Sequence, residues 1–228
     1  MFLYSLLEVS EKTTNLVKWI SVGGVALVLL LIGLISFLQN GKKIQAKRVA
    51  FAGICAAMSF VLALLKVSPV QYGGSITLAS FVPIMIYAYA FGVGEGLLLG
   101  LVHGLLNFIE DPFILTPATF IFDYLLAFAS VAMMGLFSKM KRKEKGVAPL
   151  LLGCACVFAL RFISHFLSGA IFFMEGEASG EFPAWANANA FIYQLIYIPA
   201  DFLIAALALF ALAKTGAVDS LQKLLKKQ

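Results

Sequence analysis

A chain of 228 residues has the length of one or two ordinary domains, but 61% hydrophobic residues and a mean hydropathy of +0.96 exclude an ordinary soluble protein. The composition is that of a polytopic membrane protein. The net charge of +5 sits in short connections between apolar spans, which fits a lipid bilayer and not a nucleic-acid surface.

Residues 1–45 form an N-terminal extension whose apolar run, about 16–38, is long enough to cross a bilayer. Mixed charges before it and Gln39-Asn40-Gly41-Lys42-Lys43 after it differ from a cleavable signal peptide, so a retained signal-anchor helix is expected. The next span, about 49–67, has a smooth face of Ala50, Ala52, Gly53, Ala56 and Ala57. Ala52 and Ala56, four apart, let another helix approach closely, either a neighbour in the same bundle or a separate protein. Residues 67–75 are rich in turn formers and carry Tyr72, which suits a loop folded over a cavity. Two short spans follow, about 76–91 and 95–109. Pro83 is expected to kink the first, and Gly96, Gly100 and Gly104 give the second a close-packing ridge.

Glu110-Asp111-Pro112 makes an acidic turn before the span 113–137, which holds Asp123-Tyr124. The basic run 139–145 leads into the span 146–173 with Arg161 and His165. An acidic loop with Glu175, Glu177 and Glu181 precedes a last span, about 191–214, carrying Pro199 and Asp201. If seven spans alternate, Lys42 to Arg48, Lys139 to Lys145 and Lys214 to Lys227 share one side, which is then cytoplasmic, with the N-terminus outside. The opposite loops set Lys66 against five carboxylates, an acidic mouth that suits a cationic solute.

Arg161, His165, Ser168, Gly169 and Phe172 share a helical stripe about 100° wide. One reading is an arginine snorkelling to the interface and a histidine satisfied by a neighbouring helix; the other is a lined cavity. Asp123 offers the arginine a carboxylate within the membrane, so the two segments read as walls of one pocket. The cysteines Cys55, Cys154 and Cys156 read as small packing residues, with neither a disulfide framework nor a metal site supported. The chain has no HExxH, GxSxG, Walker or CxxC pattern. An intramembrane enzyme using Asp123, Arg161 and His165 would need Ser168 as nucleophile, yet Ser168 lies three residues after His165 on the same helix.

Several motifs together resemble the thiamine-specific S-components of energy-coupling factor (ECF) vitamin transporters: GSITLASFVPI (74–84), GLLNFIEDPF (104–113), FDYLLAF (122–128), RFISHFLSGAIFF (161–173), the segment 185–189 and IPAD (198–201). The resemblance covers about residue 46 to the end. It implies an all-α integral membrane protein, a six-helix bundle over 46–228, here preceded by one extra N-terminal transmembrane helix. It also implies a substrate-capture subunit that binds thiamine near the outer face and docks, through small residues corresponding to Ala52 and Ala56, on a transmembrane coupling protein with two ATPases. By position it assigns Asp123, Tyr124, Arg161, His165, Gly169 and Asn189 to the ligand, with Tyr72, Phe113 and Phe173 as aromatic neighbours and no cofactor. A carboxylate and an amide suit an aminopyrimidine edge, and aromatic faces suit a thiazolium. Phe113 and Phe173 stand where family members can carry tyrosine and tryptophan, and Thr116 where a histidine before proline is typical. The expected ligand is therefore thiamine or a related cationic vitamin.

Overall fold

The computed structural model describes residues 46–69, 74–114, 117–138, 147–170, 190–218 and 220. The expected extra helix, Tyr72, Thr116, the basic run 139–145, Phe173, the acidic loop and Asn189 lie outside the described residues. The chain order is α1 (Ala46–Leu64), β1 (Lys66–Pro69), β2 (Ser75–Thr77), α2 (Phe81–Phe91), α3 (Val93–Glu110), the helical segment α4 (117–137), α5 (Ala148–Ser168) and α6 (Ala190–Lys214). This is an all-α membrane fold with one small antiparallel hairpin, β1 paired to β2. Helices α1, α3, α5 and α6 are long and apolar enough to cross a membrane. In hydrocarbon, every backbone group must be paired within the protein, and long unbroken helices achieve this alone.

The expected span 76–91 is corrected by the structure. Ile76 and Thr77 belong to β2, and α2 begins only at Phe81. At 11 residues α2 is roughly 16 Å long, about half a bilayer core. Pro83 is the third residue of α2, where its missing N–H needs no partner, so it starts the helix instead of kinking it. The turn into α2 passes through Ala79 at φ 58°, a left-handed conformation that costs a non-glycine residue roughly 1–2 kcal/mol.

The glycine ridge of α3 packs as expected. A Cβ on Gly96 would meet Ala88 of α2, and Cβ atoms on Gly100 and Gly104 would meet the carbonyl oxygens of Phe128 and Tyr124 in α4. That contact is possible because α4 is irregular: Pro117–Phe120 is α-helical, Ile121–Leu126 is a π-turn, and Ser130–Met133 is wound as a 3-10 helix. The Ser130 hydroxyl turns back to the Ala127 carbonyl at 2.6 Å. Gly135 of α4 packs against the backbone of Gly92 and Val93, and Gly153 of α5 against Met134. Phe81, Ile84, Met85, Phe120, Val131, Met134, Val157 and Leu209 fill the core between these helices.

On α1 the small residues divide. Ala56 is buried in the core and Ala52 packs against it, while Ala50, Gly53 and Ala57 face outward. A Cβ on Gly53 would meet nothing within 4 Å.

Candidate ligand site

The π-turn of α4 sets Asp123 against α5. One Asp123 oxygen lies 2.8 Å from His165 Nδ1, and the other accepts the Ser168 hydroxyl at 2.6 Å. A π-turn loosens the regular pairing of backbone carbonyls, and the Phe122 carbonyl takes the Ser164 hydroxyl at 2.6 Å. Asp123 and His165 are both half-buried. The remaining ring nitrogen, His165 Nε2, is buried with no hydrogen-bond partner among the described residues.

Helix α6 supplies the facing wall. The Tyr197 ring meets the His165 ring edge-on at 6.3 Å, and its hydroxyl donates to Gln194 Oε1 at 2.6 Å. Gln194 Nε2 in turn reaches the His165 carbonyl at 3.4 Å. Gly169 makes this approach possible, because a Cβ there would lie 2.9 Å from the Ala190 Cβ. From the hairpin side, Gly74 donates its N–H to the Tyr193 hydroxyl at 3.1 Å. A Cβ on Gly74 would collide with that hydroxyl and crowd Tyr197. The hairpin end therefore rests on Tyr193 and Tyr197, of which Tyr197 meets His165.

One helical turn further from this end, about 6 Å along α5, lies a second polar layer. Arg161 is paired with Asp201 of α6 at 2.5 Å, and its guanidinium carbon sits 4.4 Å over the Phe81 ring. The expectation that Asp123 partners Arg161 is thus corrected: the two carboxylates occupy different layers, each with its own cation or imidazole. Asp201 Oδ1 also accepts the N–H and the hydroxyl of Thr77, at 3.3 and 3.0 Å.

Tyr124, next to Asp123 in the chain, turns its ring to Phe108 and Phe120. Its hydroxyl donates to the Asp111 carbonyl and accepts the Phe113 N–H, both at 2.8 Å, and so fixes the turn that carries Phe113. Lys66 of β1 pairs with Glu110 at 3.2 Å and Asp111 at 2.7 Å, tying the hairpin to the same turn. Burial works against its charge, but the hydrogen bonds and charges of Asp111 and Glu110 outweigh this and raise its pKa. Two of the five carboxylates counted for the acidic mouth are thereby engaged. Among the described residues no His, Cys, Asp or Glu cluster is placed to hold a metal.

Of the residues singled out in the sequence, Asp123, His165 and Gly169 come together, Tyr124 packs on Phe108 and Phe120 and holds the turn of Phe113, and Arg161 lies one layer away. Sequence reasoning missed Gln194, Tyr197 and Thr77. Gln194 and Tyr197 sit on an apolar helix, where an amide and a tyrosine give little signal. The Ser168 hydroxyl points to Asp123 and not to His165, so no serine–histidine pair of a hydrolase is formed.

Residues 49–219 match the family model described as Thiamine transporter protein (Thia_YuaJ). The thiamine transporter ThiT of Bacillus subtilis (strain 168) is 32% identical over 152 residues, which span 63% of this chain and 77% of that protein. A solved structure of ThiT from Listeria monocytogenes shares the fold at a TM-score of 0.57 and 23% identity, covering 79% of this chain and 94% of that one. Well over half of the sequence fits the model; the chain belongs to the thiamine transporter protein family, which is a family of transporters and not of enzymes.

Proposed function

We propose that this chain is the substrate-capture subunit of an ATP-driven ECF-type importer. It binds thiamine between α4, α5 and α6 beneath the hairpin, and docks on a transmembrane coupling protein driven by two ATPases. The observation that carries the reading is the pairing of Asp123 with a histidine whose other nitrogen is buried and, among the described residues, without a partner. A buried ring nitrogen without a partner costs roughly 1–3 kcal/mol, a cost that a ligand hydrogen bond removes. The Asp123 carboxylate supplies the negative charge that a thiazolium needs in low dielectric, and Tyr197 supplies an aromatic face. In the imidazole, Nδ1–H donates to Asp123, which leaves Nε2 as an acceptor for the exocyclic amine of an aminopyrimidine.

Docking uses α1. With Ala56 turned inward, the surface open to close approach by a coupling helix is the outward strip Ala50, Gly53 and Ala57. Residues 1–45 form a separate extension ahead of the six-helix domain at 46–228. The N-terminus lies outside and the C-terminus in the cytoplasm.

Calorimetry on the purified full-length chain, titrated with thiamine, with its pyrimidine precursor and with other small vitamins, tests the ligand. Saturable binding of thiamine with recovery of unchanged thiamine is expected. Preference for a different vitamin would keep the capture role and replace the ligand, and a turned-over product would end the capture reading.

A further inference from the structure

Beside the Arg161–Asp201 pair runs a chain of hydroxyls that ligand contact does not explain. Ser59 of α1 donates to the Ser80 carbonyl at 2.6 Å, and the Ser80 and Thr77 hydroxyls lie 2.7 Å apart. Thr77 gives its own hydroxyl proton to Asp201. A hydroxyl carries one proton, so Ser80 must be the donor to Thr77. Every proton is then assigned, and the chain from Ser80 through Thr77 ends on Asp201, whose other oxygen takes Arg161. All five side chains are buried.

The turn enclosed by these bonds holds Ala79 at φ 58°, a conformation that persists only where the surroundings impose it. Ser80 stands at the start of α2 without capping it by its side chain, because its hydroxyl is used on Thr77. Phe81, the first residue of α2, lies under the Arg161 guanidinium. Three parts of the molecule thus meet at one point: α1 through Ser59, the floor of α5 and α6 through Arg161 and Asp201, and the hairpin through Thr77. The hairpin's other end rests on Tyr193 and Tyr197, next to His165.

We propose that Thr77, Ser80 and Asp201, with Ser59 and Arg161, form a clamp that positions the β1–β2 hairpin over the Asp123–His165 site and ties it to α1. Arg161 acts there as a positioning residue and makes no contact with the ligand. The clamp stands on the geometry alone; that the site beneath it takes thiamine rests on the function proposed above. A loosened hairpin opens more often as a unit, so it speeds ligand entry and exit together. Losing a ligand contact speeds mainly exit.

Two measurements on the full-length protein in detergent test this with Thr77→Val, Thr77→Ser and Ser59→Ala. The first is amide hydrogen exchange of residues 66–69 and 74–77 without ligand. Thr77→Val removes both hydrogen bonds of the hydroxyl, to Asp201 and from Ser80, and is expected to speed it at least about tenfold, with Thr77→Ser near the parent rate and Ser59→Ala faster than the parent. The second is the association and dissociation rate of thiamine, both expected to rise several-fold in Thr77→Val and to recover in Thr77→Ser. Unchanged exchange in Thr77→Val, or Thr77→Ser behaving like Thr77→Val, overturns the clamp, as does a rise in dissociation alone. If Thr77→Val does not fold, Ser59→Ala carries both measurements, and parental exchange there overturns the proposal equally. A parent protein that binds no thiamine would remove the ligand reading while the exchange data still decide the clamp.

Discussion

Asp123 and Asp201 are both carboxylates inside the membrane, yet they have different partners and should fail differently. Asp123 is half-buried, and its partners are an imidazole and a hydroxyl. Asp123→Asn keeps the shape, loses the charge, and leaves the Arg161–Asp201 pair intact, so the fold should survive. Thiamine affinity should fall about ten- to hundredfold, the worth of a charge-assisted hydrogen bond of roughly 1.5–3 kcal/mol, as calorimetry would read. Asp201→Ala instead strands a buried guanidinium, and breaking such a pair typically costs about 3–5 kcal/mol. It should appear as a lowered thermal midpoint before any binding is measured. The reverse order, with Asp123→Asn unfolding and Asp201→Ala stable, would show that the layers have been exchanged. The sequence exposed both aspartates, because charge in an apolar run stands out. It could not pair them, since a helical wheel orders the faces of one helix and says nothing of which neighbour each face meets.

At the scale of elements, two local features decide which way side chains point. The π-turn in α4 holds an extra residue in its turn and so shifts the phase on which Asp123 emerges, a shift that an ideal 100° wheel cannot anticipate. The segment 76–80 looked helical because a short apolar run reads alike as strand or helix. The sequence did reveal the glycine ridge of α3, because spacing by four survives any rotation of the helix. Helix α1 gives the sharpest test of an element's two faces. Gly53→Trp adds bulk where nothing lies within 4 Å, so on the proposed function thiamine binding in detergent should stay near the parent value while uptake in cells carrying the proposed coupling protein and ATPases is abolished. Ala56→Trp forces an indole into a closed core, where overpacking costs about 1–3 kcal/mol or more, so binding and folded yield should fall together. Uptake that survives Gly53→Trp would move the docking surface off α1.

For the whole molecule, the basic clusters predict one topology. Single cysteines placed near each terminus, in a background lacking Cys55, Cys154 and Cys156, should label from opposite sides of intact cells, the N-terminal one from outside. Labelling of both from the same side would overturn the count of seven spans. The membrane class was legible from composition, and Asp123, Arg161 and His165 stood out as charge inside apolar runs. The hairpin's attachment was not, because it depends on Thr77 and Asp201, 124 residues apart. The seam between α3 and α4 has a mechanical meaning. Where Gly100 and Gly104 face carbonyl oxygens with no room for a methyl group, the two helices cannot slide past or roll over each other without backbones colliding. That side of the bundle is a fixed jamb. A swing that bared or shut the proposed site would be taken up across from it, by the hairpin and by α6, which runs unbroken through Pro199 but lacks one backbone donor there.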